Sequence, residues 1–310
     1  MPRLLTVPDD FDFRSTVWSS GWCVLAPFGW DAASGVLERP FAFSRRGVAT
    51  LAISQPRGRG TAVDLRLHSG PGRRKDLTTG DWAAVIAGVS HMLRVDADLR
   101  PFYARCRAAG HPFDRAEAVG FGRLLRSPTL FEDVVKVLAT TNTTWGGTKA
   151  MVANLVRLAG TGGAFPDPHE VLAFGAERLG LEARWGYRAA YLHALAEAVV
   201  DGRLDLKGWA TWAGTTEELE REIRRVPGLG PYAAAHILAL LDRHDRIGVD
   251  TVFRAFVTGR YFPRARRPPT EKRLLAVYRD WREWRALAFW FDLWYADYAD
   301  AMERSPGAEK

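Results

Sequence analysis

The sequence predicts an α+β protein: an amino-terminal antiparallel β-sheet with flanking helices, followed by an all-helical region. Up to about residue 80, short runs of β-branched and aromatic residues are divided by Gly, Pro and Asp turn signals. From about residue 85 onward, apolar residues recur with helical period. The length of 310 residues, 47% of them hydrophobic, is enough for two or three packed domains that need no disulfide staples.

Taken in order, "STVWSSGWCVLAPF" (15–28), "RPFAFSRRG" (39–47), "VATLAISQP" (48–56) and "AVDLRLHSG" (62–70) read as strands. "PRGRG" and "SGPGRRKD" read as basic, solvated turns. A helix is expected over "TTGDWAAVIAGVSHMLRV", capped by Thr79 or Asp81. In "LFEDVVKVLATTN" the residues Phe131, Val134, Val135 and Leu138 fall at i, i+3, i+4 and i+7, which predicts one buried stripe. "KAMVANLVRLAG" and "GYRAAYLHALAEAVVDG" repeat that period and stop at Gly160 and Gly202. The loop "GTGGAFPDPHE" separates two helices, and the tail "ERSPGAEK" is expected to fray.

Composition excludes several classes. No basic start leads into an apolar run, and apolar stretches are broken by charge well before 18 residues, so neither a signal peptide nor a membrane span is expected. The expectation is a soluble, cytoplasmic protein, nucleoid-associated in a bacterium. Two cysteines, Cys23 and Cys106, cannot make a four-thiolate metal or iron–sulfur site. The net charge of +7 is carried largely by arginine, whose fork suits phosphate, although such a charge also simply keeps a protein in solution. Local density is more telling. From Arg254 to Arg285 ten basic residues face only Glu271, Asp280 and Glu283.

That run borders the stretch "VPGLGPYAAAHILALLDRHDRIGVDTVFR". Upstream, Thr215 stands three residues before Glu218, a capping-box spacing that starts a helix running to about Arg225. Pro227 cannot continue that helix, Gly228 and Gly230 are expected to take the positive φ of a tight turn, and Pro231 suits the first position of the next helix, "PYAAAHILALL". Free amides of the turn and of the second helix's first turn, with the positive end of its dipole, make a cradle for one phosphate. A glycine turn between helices is also common as plain architecture. What distinguishes this one is Asp250, twenty residues after Gly230, at the start of the helix "TVFRAFV".

At these residues the sequence resembles the helix-hairpin-helix DNA glycosylase superfamily, in the branch of 3-methyladenine glycosylase II and the 8-oxoguanine glycosylases. The resemblance extends to "TTNTTWGGTKAMV", "RWGYRAAYL" and "WREWRALAFW", and is strongest from about residue 115 onward. It implies a sheet domain at 1–80, helices at 81–114 joining the carboxy-terminal lobe, a helical domain with the hairpin at 115–247, and a lobe carrying the aspartate at 248–310. The expected phosphate-binding hairpin is Val226, Gly228, Leu229, Gly230 and Tyr232.

Breaking an N-glycosidic bond makes the sugar oxocarbenium-like, and a carboxylate beneath it stabilises that charge and orients the attacking water. Asp250 is the candidate, a role compatible with capping its helix. Asp242 and Asp245 read as turn residues, and His236 and His244 as structural or solvent-facing. The lysine by which bifunctional members form a Schiff base is matched here by Tyr232, and no lysine occurs from Gly208 through Glu271. Water is then the nucleophile and an abasic site the product. Tyrosine at this position also occurs in some thymine mismatch glycosylases.

The target base must leave the duplex. By resemblance, Asn142 enters the vacated space, Tyr187 wedges between bases and Arg188 contacts the orphaned partner, while Asn142 could equally cap a helix and Tyr187 belong to a core. Tyr232, Trp290 and Trp145 are expected to line the base pocket, where electron-rich rings favour a positively charged N-alkylated purine. Removal of 8-oxoguanine or of mismatched uracil or thymine, and non-catalytic lesion binding, remain alternatives. The expected partner is double-stranded DNA with damaged bases, bound by a monomer. No organic cofactor and no catalytic metal are expected. The resemblance does allow Na+ or K+ at the Val226 and Gly228 carbonyls.

Overall fold

Five antiparallel strands form the amino-terminal sheet, in the order β1-β5-β4-β3-β2: β1 (Arg3–Thr6), β2 (Gly29–Asp31), β3 (Val36–Phe43), β4 (Gly47–Ser54) and β5 (Ala62–His68). The computed structural model describes residues 3–43, 47–55, 60–68 and 77–304, with side chains through 297. The turns expected at "PRGRG" and "SGPGRRKD", apart from Gly60 and the start of the latter's context at His68, and the terminal residues from 305, lie outside the described residues. Leu37 stands opposite Ile53, Ile53 opposite Leu65, and Leu5 opposite Val63. All five are buried, so the alternation of each strand places one face on the core. β1 and β2, four and three residues long, are too short for alternation to reveal them in sequence.

The stretch 15–28, expected as a strand, instead holds α1 (Phe13–Trp18) and a 3-10 turn at Trp22–Val24. Asp12 decides the outcome. Its Oδ1 accepts from the Ser15 amide at 2.7 Å and its carbonyl from the Thr16 hydroxyl at 2.7 Å. A capped turn that buries Thr16 and Val17 outweighs their modest strand preference.

The remaining helices are α2 (Thr79–Leu93), α3 (Arg100–Ala109), α4 (Leu130–Thr140), α5 (Trp145–Ala159), α6 (Pro168–Phe174), α7 (Ala176–Leu181), α8 (Arg188–Val200), α9 (Leu206–Ala210), α10 (Thr216–Ile223), α11 (Pro231–Leu240), α12 (Thr251–Tyr261), α13 (Glu271–Leu275) and α14 (Arg285–Arg304). The cap of α2 is Thr78, one residue before the one expected, and Asp81 completes its capping box. No helix among the described residues is long and apolar enough to cross a membrane. Contacts divide the chain into two units. The first comprises Met1–Ala97, Arg123–Ala213 and Arg225–Gly228, and the second Asp98–Gly122, Gly214–Arg224 and Leu229–Lys310.

In the first unit α4 is buried all round, not along the single stripe its period predicts. Besides Phe131, Val134, Val135 and Leu138, it buries Glu132, Asp133 and Lys136. These charges are tolerated because they are paired. Arg39, on the core face of β3, grips Glu132 through both guanidinium nitrogens at 2.7 and 2.6 Å. Lys136 Nζ lies 2.7 Å from the same carboxylate and donates to Ser127 Oγ at 3.2 Å. Burial alone pushes the Glu132 carboxyl up, but Arg39 and Lys136 outweigh it and hold it below its ordinary value. Asp133 accepts from Trp22 Nε1 at 2.7 Å and from the Ser127 amide at 2.8 Å. Burial nevertheless pushes its carboxyl up to about 6.

The second unit has an aromatic core, in which Phe113 lies 4.5 Å from Trp281 and Phe121 5.2 Å from Phe291 between ring centres. Asp292, fully buried on α14, accepts from the hydroxyls of Tyr261 at 2.5 Å and Tyr278 at 2.7 Å and pairs with Arg260 at 2.9 Å. Two hydroxyl donors and one cation on this carboxylate fix the carboxy-terminal end of α12. The other end of α12 is Asp250.

Candidate active site

The hairpin begins with α10. Thr215 and Glu218 form the expected capping box, with the Thr215 amide donating to Glu218 at 2.8 Å. The helix stops at Ile223, two residues short of the expected end. Gly228 then turns the chain at φ +88°. A Cβ there would sit 2.7 Å from Tyr191 Cδ2 and 2.8 Å from Leu138 Cδ1, so glycine is required by both conformation and space. Gly230 departs from expectation, with φ −77° and ψ −173°. One left-handed residue suffices to reverse the chain, and the second glycine enters α11 in extended form as its N-cap. Its value lies in what it lacks. No side chain caps α11, and nothing lies within 4 Å of where a Cβ on Gly230 would stand. The positive end of α11 therefore faces open space, suited to an anion. Buried Leu229 anchors the turn. Among the described residues no backbone amide donates to the carbonyls of Val226 or Gly228. These acceptors fit the monovalent cation implied for the hairpin, which they would hold against a phosphate oxygen.

Beyond α11 the turn "DRHDR" is more ordered than a solvated turn. Asp242 is exposed at φ +68°, but Asp245 pairs with Arg246 at 3.0 Å, and Arg246 reaches Glu220 at 3.0 Å. His244 is buried and stacks on Trp284 at 6.0 Å, not solvent-facing. The chain then delivers Asp250 as N-cap of α12. Its Oδ1 accepts from the Phe253 amide at 2.7 Å. Among the described residues nothing donates to Oδ2, and the side chain is half-buried, so one carboxylate oxygen is held and the other is available.

Next to this acid is a ring cluster. Tyr232 and His236 lie one turn apart on α11 with ring centres 4.3 Å apart, and Trp290 on α14 meets His236 edge-on at 6.0 Å. His236 Nδ1 donates to the Tyr232 carbonyl at 3.0 Å, which fixes the tautomer because a carbonyl only accepts. Burial holds its pKa below the ordinary value, against the opposing pull of the Tyr232 carbonyl and the Asp250 charge. A Cβ on Gly248 would come within 2.4 Å of His236 Cε1, so glycine there lets the strand of chain leading to Asp250 lie flat on the imidazole. A small cavity is lined by His236, Gly248 and Trp290. Larger open grooves lie elsewhere in this unit, along Arg243, Arg282 and Trp284 and along Arg105, Trp281 and Trp284, and neither includes Asp250. In sequence His236 reads as structural or solvent-facing. Its spacing of i+4 from Tyr232 was the available signal.

The first unit carries the remaining expected site residues. Asn142 follows the end of α4 at φ +45° and is exposed. Arg188 holds it there: its guanidinium donates to the Thr141 carbonyl from Nε at 3.0 Å and to the Asn142 carbonyl from Nη2 at 2.9 Å. Arg188 is consequently buried, and it lies 4.5 Å from the centre of the Tyr187 ring. Tyr187 is 56% exposed and meets Tyr191 edge-on at 6.0 Å. Trp145 is the first residue of α5, 43% exposed, with its ring 3.6 Å from where a Cβ on Gly21 would lie.

No family model matches the sequence, and no curated protein matches it. Solved structures do. The 3-methyladenine DNA glycosylase from Archaeoglobus fulgidus superposes with a TM-score of 0.70 over 94% of this chain and 99% of that one, at 16% identity. The 8-oxoguanine glycosylase/lyase of Clostridium acetobutylicum, bound to DNA with cytosine opposite 8-oxoguanine, gives 0.71 over 97% and 98%, at 16% identity. MBOgg1 with a low-affinity DNA ligand gives 0.72 over 96% of each chain, at 17% identity. The fold is that of the helix-hairpin-helix DNA glycosylases. In the second unit Asp250 lies beside the rings of Tyr232, His236 and Trp290, and in the first Asn142 and Tyr187 are exposed with Arg188 buried behind them.

Proposed function

We propose that the protein is a monofunctional DNA glycosylase that hydrolyses N-alkylated purines from duplex DNA in base excision repair. The observation that carries this is Asp250. An acid whose Oδ1 is fixed by its own helix, with Oδ2 available, beside a ring cluster and near an uncapped helix end, is arranged for a cationic transition state at a phosphate-tethered sugar. As the bond from C1′ to the base nitrogen breaks, its electron pair leaves with the base and positive charge grows on the sugar. Asp250 stabilises that charge. Water then adds to C1′, and its proton passes to the carboxylate or to solvent, giving an abasic site.

The substrate class follows from the rings. Tyr232 and Trp290 flank a neutral His236, an electron-rich surface that attracts a positively charged purine. Such a base is already a good leaving group and needs little acid assistance. Tyr232 in place of an amine supports hydrolysis over the covalent route, since no lysine occurs from Gly208 through Glu271. Asn142 and Tyr187 are the proposed groups that enter the stack when the base leaves, with Arg188 as their positioning residue.

The test uses purified protein and duplexes carrying 3-methyladenine, 1-methyladenine, ethenoadenine, 8-oxoguanine or uracil, scored for abasic sites with and without alkali. Release of alkylated purines, with strand breaks only after alkali, is expected. Breaks without alkali contradict monofunctionality, and preferred release of 8-oxoguanine overturns the substrate assignment.

A further inference from the structure

We infer that the loop carrying Arg264, Arg266 and Arg267, at the far end of α12 from Asp250, is a second phosphate-contacting surface that grips duplex DNA beyond the hairpin. This rests on the reading of the protein as a DNA glycosylase. Within the basic run from Arg254 to Arg285, Lys272 is also exposed, but three other cations near this loop are engaged. Arg254 pairs with Glu271 at 2.5 Å, Arg260 pairs with Asp292 at 2.9 Å, and Arg273 lies 4.7 Å from the Phe262 ring centre. Arg264, Arg266 and Arg267 differ: all three are exposed, and none has an acidic partner among the described residues.

The two nearby acids, Glu271 and Asp292, are already held by Arg254 and Arg260, so no local charge draws these side chains down onto the protein. The loop itself is stiff. It leaves α12 through a turn in which the Ala265 amide donates to the Phe262 carbonyl at 3.0 Å, and Pro263, Pro268 and Pro269 limit its conformations. Stiffness matters because presenting three arginines on a floppy loop would cost more ordering entropy on binding. A membrane-facing or protein-facing role would call for apolar residues among the cations, and the loop from Pro263 to Pro268 offers only Ala265.

Distance makes DNA the fitting partner. α12 has 11 residues. At 1.5 Å per residue its ends are about 16 Å apart, roughly half of a duplex turn of about 34 Å. A duplex whose reacting sugar sits at Asp250 therefore has phosphates within reach of the loop. Contacts of this kind carry no sequence information, as an enzyme that must scan for damage requires.

The experiment is a salt titration of binding to an undamaged duplex and to one with a stable abasic analogue, comparing the full-length protein with R264Q/R266Q/R267Q. The slope of log Kd against log salt is expected to fall by roughly 2 to 3, at about 0.9 per phosphate lost, with affinity reduced at least tenfold at low salt and converging at high salt. R264K/R266K/R267K should keep the parent slope. Should the glutamine triple fail to fold, each single glutamine variant is expected to lower the slope by about one. An unchanged slope in the glutamine variants, or no DNA binding by the parent protein, overturns the inference. Because the readout is binding, a parent that binds DNA but releases no base defeats only the glycosylase reading.

Discussion

His236 donates its Nδ1 proton to the main-chain carbonyl of Tyr232 at 3.0 Å, so that two ring systems on one face of α11 are held 4.3 Å apart, tilted by 44°, beside Asp250. Burial depresses the imidazole's pKa below its ordinary 6.5. A group neutral in the fold and protonated when unfolded contributes stability that is present above pH 6.5 and lost as pH falls. His91, depressed to about 4 by burial and by the charges of Arg126 and Arg94, acts in the same direction. H236Q is expected to flatten part of the fall in melting temperature between pH 6.5 and 5, and H236Q/H91Q more of it. Thermal scans across that range, with an unaltered acid limb in both variants, would remove the assignment.

Asp250→Asn keeps a capping acceptor for the Phe253 amide and removes the charge. Stability should stay within about 0.5 kcal/mol, since Asn and Asp cap equally well. Base release should fall at least roughly 100- to 1,000-fold while binding to an abasic analogue survives. Single-turnover kinetics alongside thermal melts separate the two effects. A variant that melts normally and still releases base would make the acid a cap and nothing more.

The two hairpin glycines should respond in opposite ways. Gly228→Ala forces a side chain into φ +88° and against Tyr191 and Leu138, with an expected cost of about 1–3 kcal/mol in urea unfolding. Gly230→Ala has an ordinary φ and open space, so its stability should be near that of the parent. DNA affinity should nevertheless drop, because the new methyl stands where a phosphate would meet the start of α11. Equal stability losses at both positions would contradict this account.

Glu132→Gln leaves the buried cations Arg39 and Lys136 facing a neutral amide. A loss of about 3–5 kcal/mol is expected, the usual cost of breaking a buried pair from one side. Chemical denaturation measures it, and a loss below 1 kcal/mol would mean that the network is hydrated.

Asp133 works against the network at neutral pH. Its folded pKa is raised to about 6 from 3.8. The folded state therefore holds an extra proton between those values, and stability falls as pH rises through them. Asp133→Asn retains an acceptor for Trp22 and Ser127, and should make the protein more stable at pH 8 relative to pH 5 by about 1 kcal/mol. Parallel unfolding curves at the two pH values decide the point.

What could be read from sequence was local. The capping box at Thr215 and the start at Pro231 depend on near neighbours, and both occur where expected, while α10 ends two residues early. Three other features were less legible, the first of them because its partner lies far along the chain. The charges that make α4 buried on every side meet Arg39, 93 residues away, which helical period cannot reveal. α1 forms because Asp12 caps it, although its β-branched residues suggest a strand. At Gly230 the residue type was informative while the conformation was not, since glycine serves both a tight turn and an open approach.

Arg188 clasps the carbonyls of Thr141 and Asn142, which flank the Asn142 Cα. Anyone transplanting that short projection into another helical scaffold would have to transplant the arginine from α8 with it. Without its two-pronged hold, residue 142 would relax out of the left-handed region that only glycine occupies freely, and the graft would arrive with the right letters in the wrong shape.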